Sequence, residues 1–182
     1  MFARSSTLGL VAAVAFTLPS NPSTTLTLHS SGAVRLAVTG TDARYGLSPE
    51  LEDGKPIMAV TLGATGSGSA LWLYTQGDEL PRVGRYPIAF SWDHAAGTAE
   101  PRWFHACFIA GTTERPAGVF HGQSGWVTIT DAAPGHLAGE FELRARGFLV
   151  SNEADEDQWV TVRGSFTADG DTAIAWFHTV SR

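Results

Sequence analysis

The sequence predicts an all-β protein, an antiparallel β-sandwich of about nine or ten strands, with a flattened β-barrel as the alternative. Three observations carry this prediction. Short alternating apolar runs recur along the chain, separated by Gly, Pro and Asp. No stretch sustains the 3.6-residue apolar period of an amphipathic helix. The 182 residues are 43% hydrophobic, enough for one domain to bury a core.

The elements follow in chain order. Arg4, the apolar run Leu8–Leu18 and the breakers Pro19 and Pro22 match a secretory signal peptide over residues 1–20. The run is too short for a transmembrane span, which takes about 20 apolar residues. Residues 21–32 are rich in Ser, Thr and Pro and read as a short exposed lead-in to a single domain over 33–182. In 33–39, Val34, Leu36 and Val38 share one strand face. Ser48-Pro49 followed by Gly54 predicts one helical turn.

Residues 57–62 and 102–110 are nearly continuous apolar runs, as in strands covered on both sides. In 70–75, Leu71 and Leu73 oppose Trp72 and Tyr74. In 84–92, Ile88, Phe90 and Trp92 alternate. In 126–130, Val127 and Ile129 oppose Trp126 and Thr128. The clearest alternation is 139–146, where Phe141, Leu143 and Ala145 oppose Glu140, Glu142, Arg144 and Arg146. One buried and one wet face marks an antiparallel strand. Residues 159–167 repeat the pattern, with Val160, Val162 and Phe166 inward. The turn Asp169-Gly170-Asp171 leads to a last strand near 172–178.

Ser124-Gly125-Trp126-Val127-Thr128-Ile129-Thr130, Leu137-Ala138-Gly139-Glu140-Phe141-Glu142-Leu143 and Val160-Thr161-Val162-Arg163-Gly164-Ser165-Phe166 form a recurring pattern, preceded by Gly84-Arg85-Tyr86-Pro87-Ile88. This pattern, over roughly the last hundred residues, resembles a β-sandwich, lipoprotein-like domain of uncharacterised secreted bacterial proteins. The resemblance implies an exported β-sandwich and carries no catalytic residues. The chain has no cysteine near its N-terminus, which departs from the lipid-anchored members and favours release.

Composition excludes several classes. With one cysteine there is no intrachain disulfide and no four-cysteine zinc site. A formal charge of −6 argues against nucleic acid, whose phosphates need a basic face. Lys55 is the only lysine, so a Lys-rich membrane patch is absent.

Each chemical candidate has a plainer explanation. Asn152, Glu153, Asp155, Glu156 and Asp157 form an acidic loop with oxygen ligands of the kind Ca²⁺ takes, but EF-hand spacing is missing. A solvated acidic hairpin tip explains it better, and no cofactor is expected. His105 and Cys107 share a strand face, and His94 or His121 would complete a metal set. Their neighbours make this a core strand instead. His121-Gly122-Gln123-Ser124-Gly125 lacks the Gly-x-Ser-x-Gly spacing of a nucleophile elbow and reads as a hairpin turn. Glu140 and Glu142 share a face with Arg144 and Arg146, so cross-strand charge pairing is expected there rather than catalysis.

Trp126 and Trp159 fall opposite their strands' apolar sets and are the ligand-binding candidates, because exposed indoles stack on sugars or anchor protein contacts. The expected function is an exported, non-catalytic protein, extracellular or periplasmic. It binds a carbohydrate or protein through these aromatics. The alternatives are an extracellular hydrolase acting on polymers and a self-assembling structural domain.

Overall fold

The computed structural model describes residues 24–48, 57–63, 69–77, 79–90, 103–111, 116–150 and 158–170. These form ten strands: β1 (Thr25–Gly32), β2 (Leu36–Gly40), β3 (Ala43–Ser48), β4 (Ile57–Leu62), β5 (Ala70–Gln76), β6 (Gly84–Pro87), β7 (His105–Gly111), β8 (Pro116–Ala133), β9 (His136–Leu149) and β10 (Gln158–Gly170). Among the described residues there is no helix. The expected antiparallel all-β architecture is therefore the one observed. The single-turn helix near Pro49, the last strand near 172–178 and the leader 1–20 lie outside the described residues.

All ten strands belong to one sheet. β10 pairs β9 along one edge, and β1 then β3 along the other. β8 likewise pairs β9 along one edge, and β7 then β6 along the other. The path β3–β4–β5–β7–β8–β9–β10 returns to β3, so the hydrogen-bonded ladder closes on itself. Every pairing is antiparallel except the closing one, which joins Asp169 to Arg44 and Gly170 to Tyr45 in parallel. β1–β2 and β6 lie outside the circuit. β6 is an edge strand of four residues ending in Pro87, as suits an edge.

Alternation explains the single core. Phe141, Leu143 and Ala145 of β9 meet Val160, Val162 and Phe166 of β10 and Val127 and Ile129 of β8, all fully or nearly fully buried. Phe104, Phe108 and Phe120 complete the centre, with Phe108 and Phe120 directly paired across β7–β8 at 6.0 Å between ring centroids. Gly164 makes room for this packing. A Cβ there would strike the Thr27 carbonyl and the Phe141 ring.

Tyr45 pins the closure. Its hydroxyl accepts a hydrogen bond from the Gly135 N–H at 2.8 Å, in the Pro134-Gly135 turn between β8 and β9. Gly135 has φ +84°, and Pro before such a glycine is the type II pattern. The Gly170 N–H donates to the Gly135 carbonyl at 3.3 Å.

Four local expectations change. Residues 25–32, read as part of an exposed lead-in, form β1 within the sheet. Leu26 and Leu28 are buried between β10 and β2, and Thr25, Thr27, His29 and Ser31 alternate with the buried positions. The sequence 121–125 is strand rather than turn, with an irregular register between Gly122 and Ser124. Gly125, at φ +132°, lets β8 approach the Glu142 carbonyl and offers its own carbonyl to the Ile88 N–H at 3.0 Å. Asp169 and Gly170 continue β10 into the closing contact instead of turning. Finally, the 84–92 alternation ends at Ile88, where the chain leaves β8 to pair with Phe104. Ile88 is buried and Phe90 is exposed.

Candidate functional site

The outer face of β8, β9, β10 and β1 carries the two candidate tryptophans. Register sets them in rows. Trp126, Glu142, Arg163 and His29 stand side by side on β8, β9, β10 and β1. The next row holds Ser124, Arg144, Thr161 and Ser31, and the following one His121, Arg146 and Trp159. On the other side of Trp126 lie Arg85, Thr128, Glu140, Ser165 and Thr27. Both indoles thus share one outer face. Strand spacing puts them about 16 Å apart, two strands across and four residues along. Trp159 is exposed, and Trp126 is half-buried.

An arginine packs on each indole from the neighbouring strand. The Arg144 guanidinium lies 4.2 Å from the Trp159 ring centroid, and that of Arg85 lies 4.5 Å from the Trp126 centroid. In both pairs the arginine stands two residues from the position opposite the tryptophan. That diagonal is within reach of long side chains. The ring's negative face attracts the cation.

On the same side of the sheet, displaced toward β1 and β2, lies a hollow of roughly 370 Å³ lined by His29, Ser31, Leu36, Glu142, Thr161 and Arg163, to which neither indole contributes. Imidazole, hydroxyls, a carboxylate and a guanidinium offer donors and acceptors at close quarters. Among the described residues, no ion pair joins Glu140 or Glu142 to Arg144 or Arg163. Beyond Arg146 the β9 face continues with Phe148, 55% exposed, which extends the aromatic end near Trp159.

A second cluster lies on the outer side of β5 and β7 and is closed off. His105 is buried and stacks on Tyr74, with ring centroids 5.4 Å apart. Burial holds His105 down at about 4, so it is neutral at pH 7. Burial pushes the Cys107 thiol up to about 11, and burial with the neighbouring Cys107 pushes Tyr74 up to about 12. A thiol held at about 11 is protonated at neutral pH and is a poor nucleophile there.

Cys107 stands opposite His121 across β7–β8, but His121 points to the exposed side, edge-on to Phe90 at 6.2 Å. Burial lowers its pKa as well. Among the described residues, no three His, Cys, Asp or Glu side chains gather as a metal site. His94 and the acidic loop of Asn152, Glu153, Asp155, Glu156 and Asp157 lie outside the described residues.

Sequence reasoning named the two indoles and missed most of their surroundings. Ser31 and His29 were hidden in the segment read as a lead-in, although Leu26 and Leu28 already alternate with polar residues there. Arg85, Thr161 and Arg163 alternate outward in their strands, but only the strand order brings them beside Trp126 and Trp159.

Comparison with protein-family models, with curated proteins and with solved structures finds no match for this chain.

Proposed function

We propose that the protein is an exported, non-catalytic binding protein whose outer β8–β9–β10–β1 face takes a saccharide chain. One observation carries this reading: Trp126 and Trp159 stand on the same outer face, which also carries a hollow lined by polar side chains toward β1. Indole faces pack on the apolar faces of sugar rings, and hydroxyl, imidazole, carboxylate and guanidinium groups on the same face match sugar hydroxyls. The signal-like segment over residues 1–20 supports export to the cell exterior or periplasm.

The test is retention in native gels cast with individual neutral and acidic polysaccharides, using the wild-type chain, Trp126→Ala and Trp159→Ala. The wild type is slowed by at least one polysaccharide, and both variants run closer to a non-binding control. Mobility unchanged by every polysaccharide contradicts the proposal.

A further inference from the structure

We infer that the ligand is an extended chain of at least about four sugar units, running diagonally across the sheet from Trp126 over Arg144 to Trp159. This inference rests on the saccharide-binding reading and sets the length and course of its ligand. Register fixes the course. Trp126 of β8 stands opposite Glu142 of β9, and Arg146 of β9 stands opposite Trp159 of β10. Arg144 lies halfway between Glu142 and Arg146, so it occupies the midpoint of the line joining the two tryptophans. Its neighbours in the same row are Ser124 and Thr161, and all three are exposed.

The separation of the indoles fixes the length. Strands about 4.8 Å apart and residues about 3.4 Å apart along a strand put the two tryptophans about 16 Å from each other. A sugar ring with its linking oxygen covers about 5 Å, as carbon–carbon bonds of about 1.5 Å imply. The indoles are therefore roughly three units apart, and a chain that stacks on both has roughly four units or more. A disaccharide reaches one indole only. The middle of the path suits the middle of such a chain. Ser124 and Thr161 are short and leave room above the strands, and their hydroxyls both donate and accept. The Arg144 guanidinium is held against the Trp159 ring before the ligand arrives, and it offers N–H donors to the hydroxyls of the middle units. The hollow of His29, Glu142 and Arg163 lies beside this line, toward β1, and does not set the length. Two indoles on one ligand act as linked binding modules. Engagement of the first raises the effective concentration at the second, so affinity climbs steeply once the chain spans both.

The experiment is a calorimetric titration with oligosaccharides of increasing length, from the disaccharide to the hexasaccharide, cut from a polymer that slows the wild type in native gels. The hexasaccharide binds the wild type at least about tenfold more tightly than the disaccharide, with the step falling between about three and five units. Trp126→Ala and Trp159→Ala each remove the step and bring the hexasaccharide to within about threefold of the disaccharide. Arg144→Gln weakens hexasaccharide binding about fivefold, as loss of a hydrogen bond implies. Unfolding midpoints near that of the wild type show that these losses are local to the face.

Equal affinity for the disaccharide and the hexasaccharide overturns the spanning chain and leaves the saccharide reading standing. A length step that survives in either tryptophan variant overturns it as well, because the chain then follows another path. Unchanged hexasaccharide binding by Arg144→Gln overturns the course over Arg144. Binding at no length, with polymers that do not slow the wild type either, overturns both readings.

Discussion

The Arg144 guanidinium lies 4.2 Å from the centroid of the Trp159 ring, reached diagonally across the β9–β10 pair. Arg85 and Trp126 repeat the relationship across β6–β8 at 4.5 Å. Each candidate indole is therefore held by a cation on the adjacent strand, on the outer side of the sheet and away from the core.

Removal of either indole then costs little stability. A cation–π contact at an exposed site contributes roughly 0.5–1 kcal/mol. Trp159→Ala is expected to lower the unfolding free energy by no more than about 1 kcal/mol, with Trp126→Ala somewhat higher because that ring is half-buried. Phe141→Ala, at a side chain 1% exposed, is expected to cost about 3–5 kcal/mol. Urea denaturation compares all three. A loss at Trp159 as large as that at Phe141 would mark the indole as part of the core.

How much of this was legible in the residues differs by element. The β9 alternation of Phe141, Leu143 and Ala145 against Glu140, Glu142, Arg144 and Arg146 appears in the structure as written, because one face is buried and the other wet. Trp126 and Trp159 were likewise placed outward by their apolar neighbours. β1 was obscured because its outward positions, Thr25, Thr27, His29 and Ser31, have the composition of a linker. Only pairing on two sides makes Thr25–Gly32 a strand. The continuity of β8 through Gly122 and Gly125 was obscured for a related reason. A side chain at Gly122 would strike those of Ile88 and Ala106, one at Gly125 would strike the Glu142 carbonyl, and glycine in sequence looks like a turn. The hollow lined by Glu142, Arg163 and His29 depends on strand order, which local alternation does not encode.

Stability should fall in acid partly through His105. Its pKa is about 4 in the folded chain and 6.5 in the unfolded one. Between these values the unfolded state binds more protons, so the unfolding free energy rises with pH across that window and falls as pH drops through it. The slope from one such group is at most about 1.4 kcal/mol per pH unit. His105→Phe is expected to flatten the dependence between pH 4 and 6.5. An unchanged pH profile in that variant would mean that His105 titrates normally in the folded chain.

Cys107 should resist thiol reagents while the chain is folded. It is buried and its thiol is held at about 11, so both access and thiolate are lacking at pH 8. Reaction with a chromogenic disulfide reagent is expected to be slow in buffer and complete within minutes in concentrated guanidinium. Rapid labelling without denaturant would contradict the burial of β7.

Two glycines should respond oppositely to substitution. Gly164→Ala brings a methyl group against the Thr27 carbonyl and the Phe141 ring, and is expected to destabilise by about 2 kcal/mol or more. Gly40, with nothing within 4 Å of a built Cβ, is expected to accept alanine within about 0.5 kcal/mol. Thermal or chemical unfolding separates them. A neutral Gly164→Ala would contradict the close approach of β1 and β9 to β10.

The central claim is that a saccharide lies across the Trp126–Trp159 face, and indole N–H signals in a ¹⁵N-correlated NMR titration test it most directly. Each tryptophan gives one side-chain signal, assigned by single substitution. On addition of an oligosaccharide of a polymer that slows the wild type in the native gels, the Trp126 and Trp159 signals are expected to move together with increasing ligand. Those of Trp72 and Trp103, on the β5–β7 side of the sheet, are expected to stay in place. Movement confined to Trp72 and Trp103, or none at all with neutral and acidic oligosaccharides alike, would contradict it.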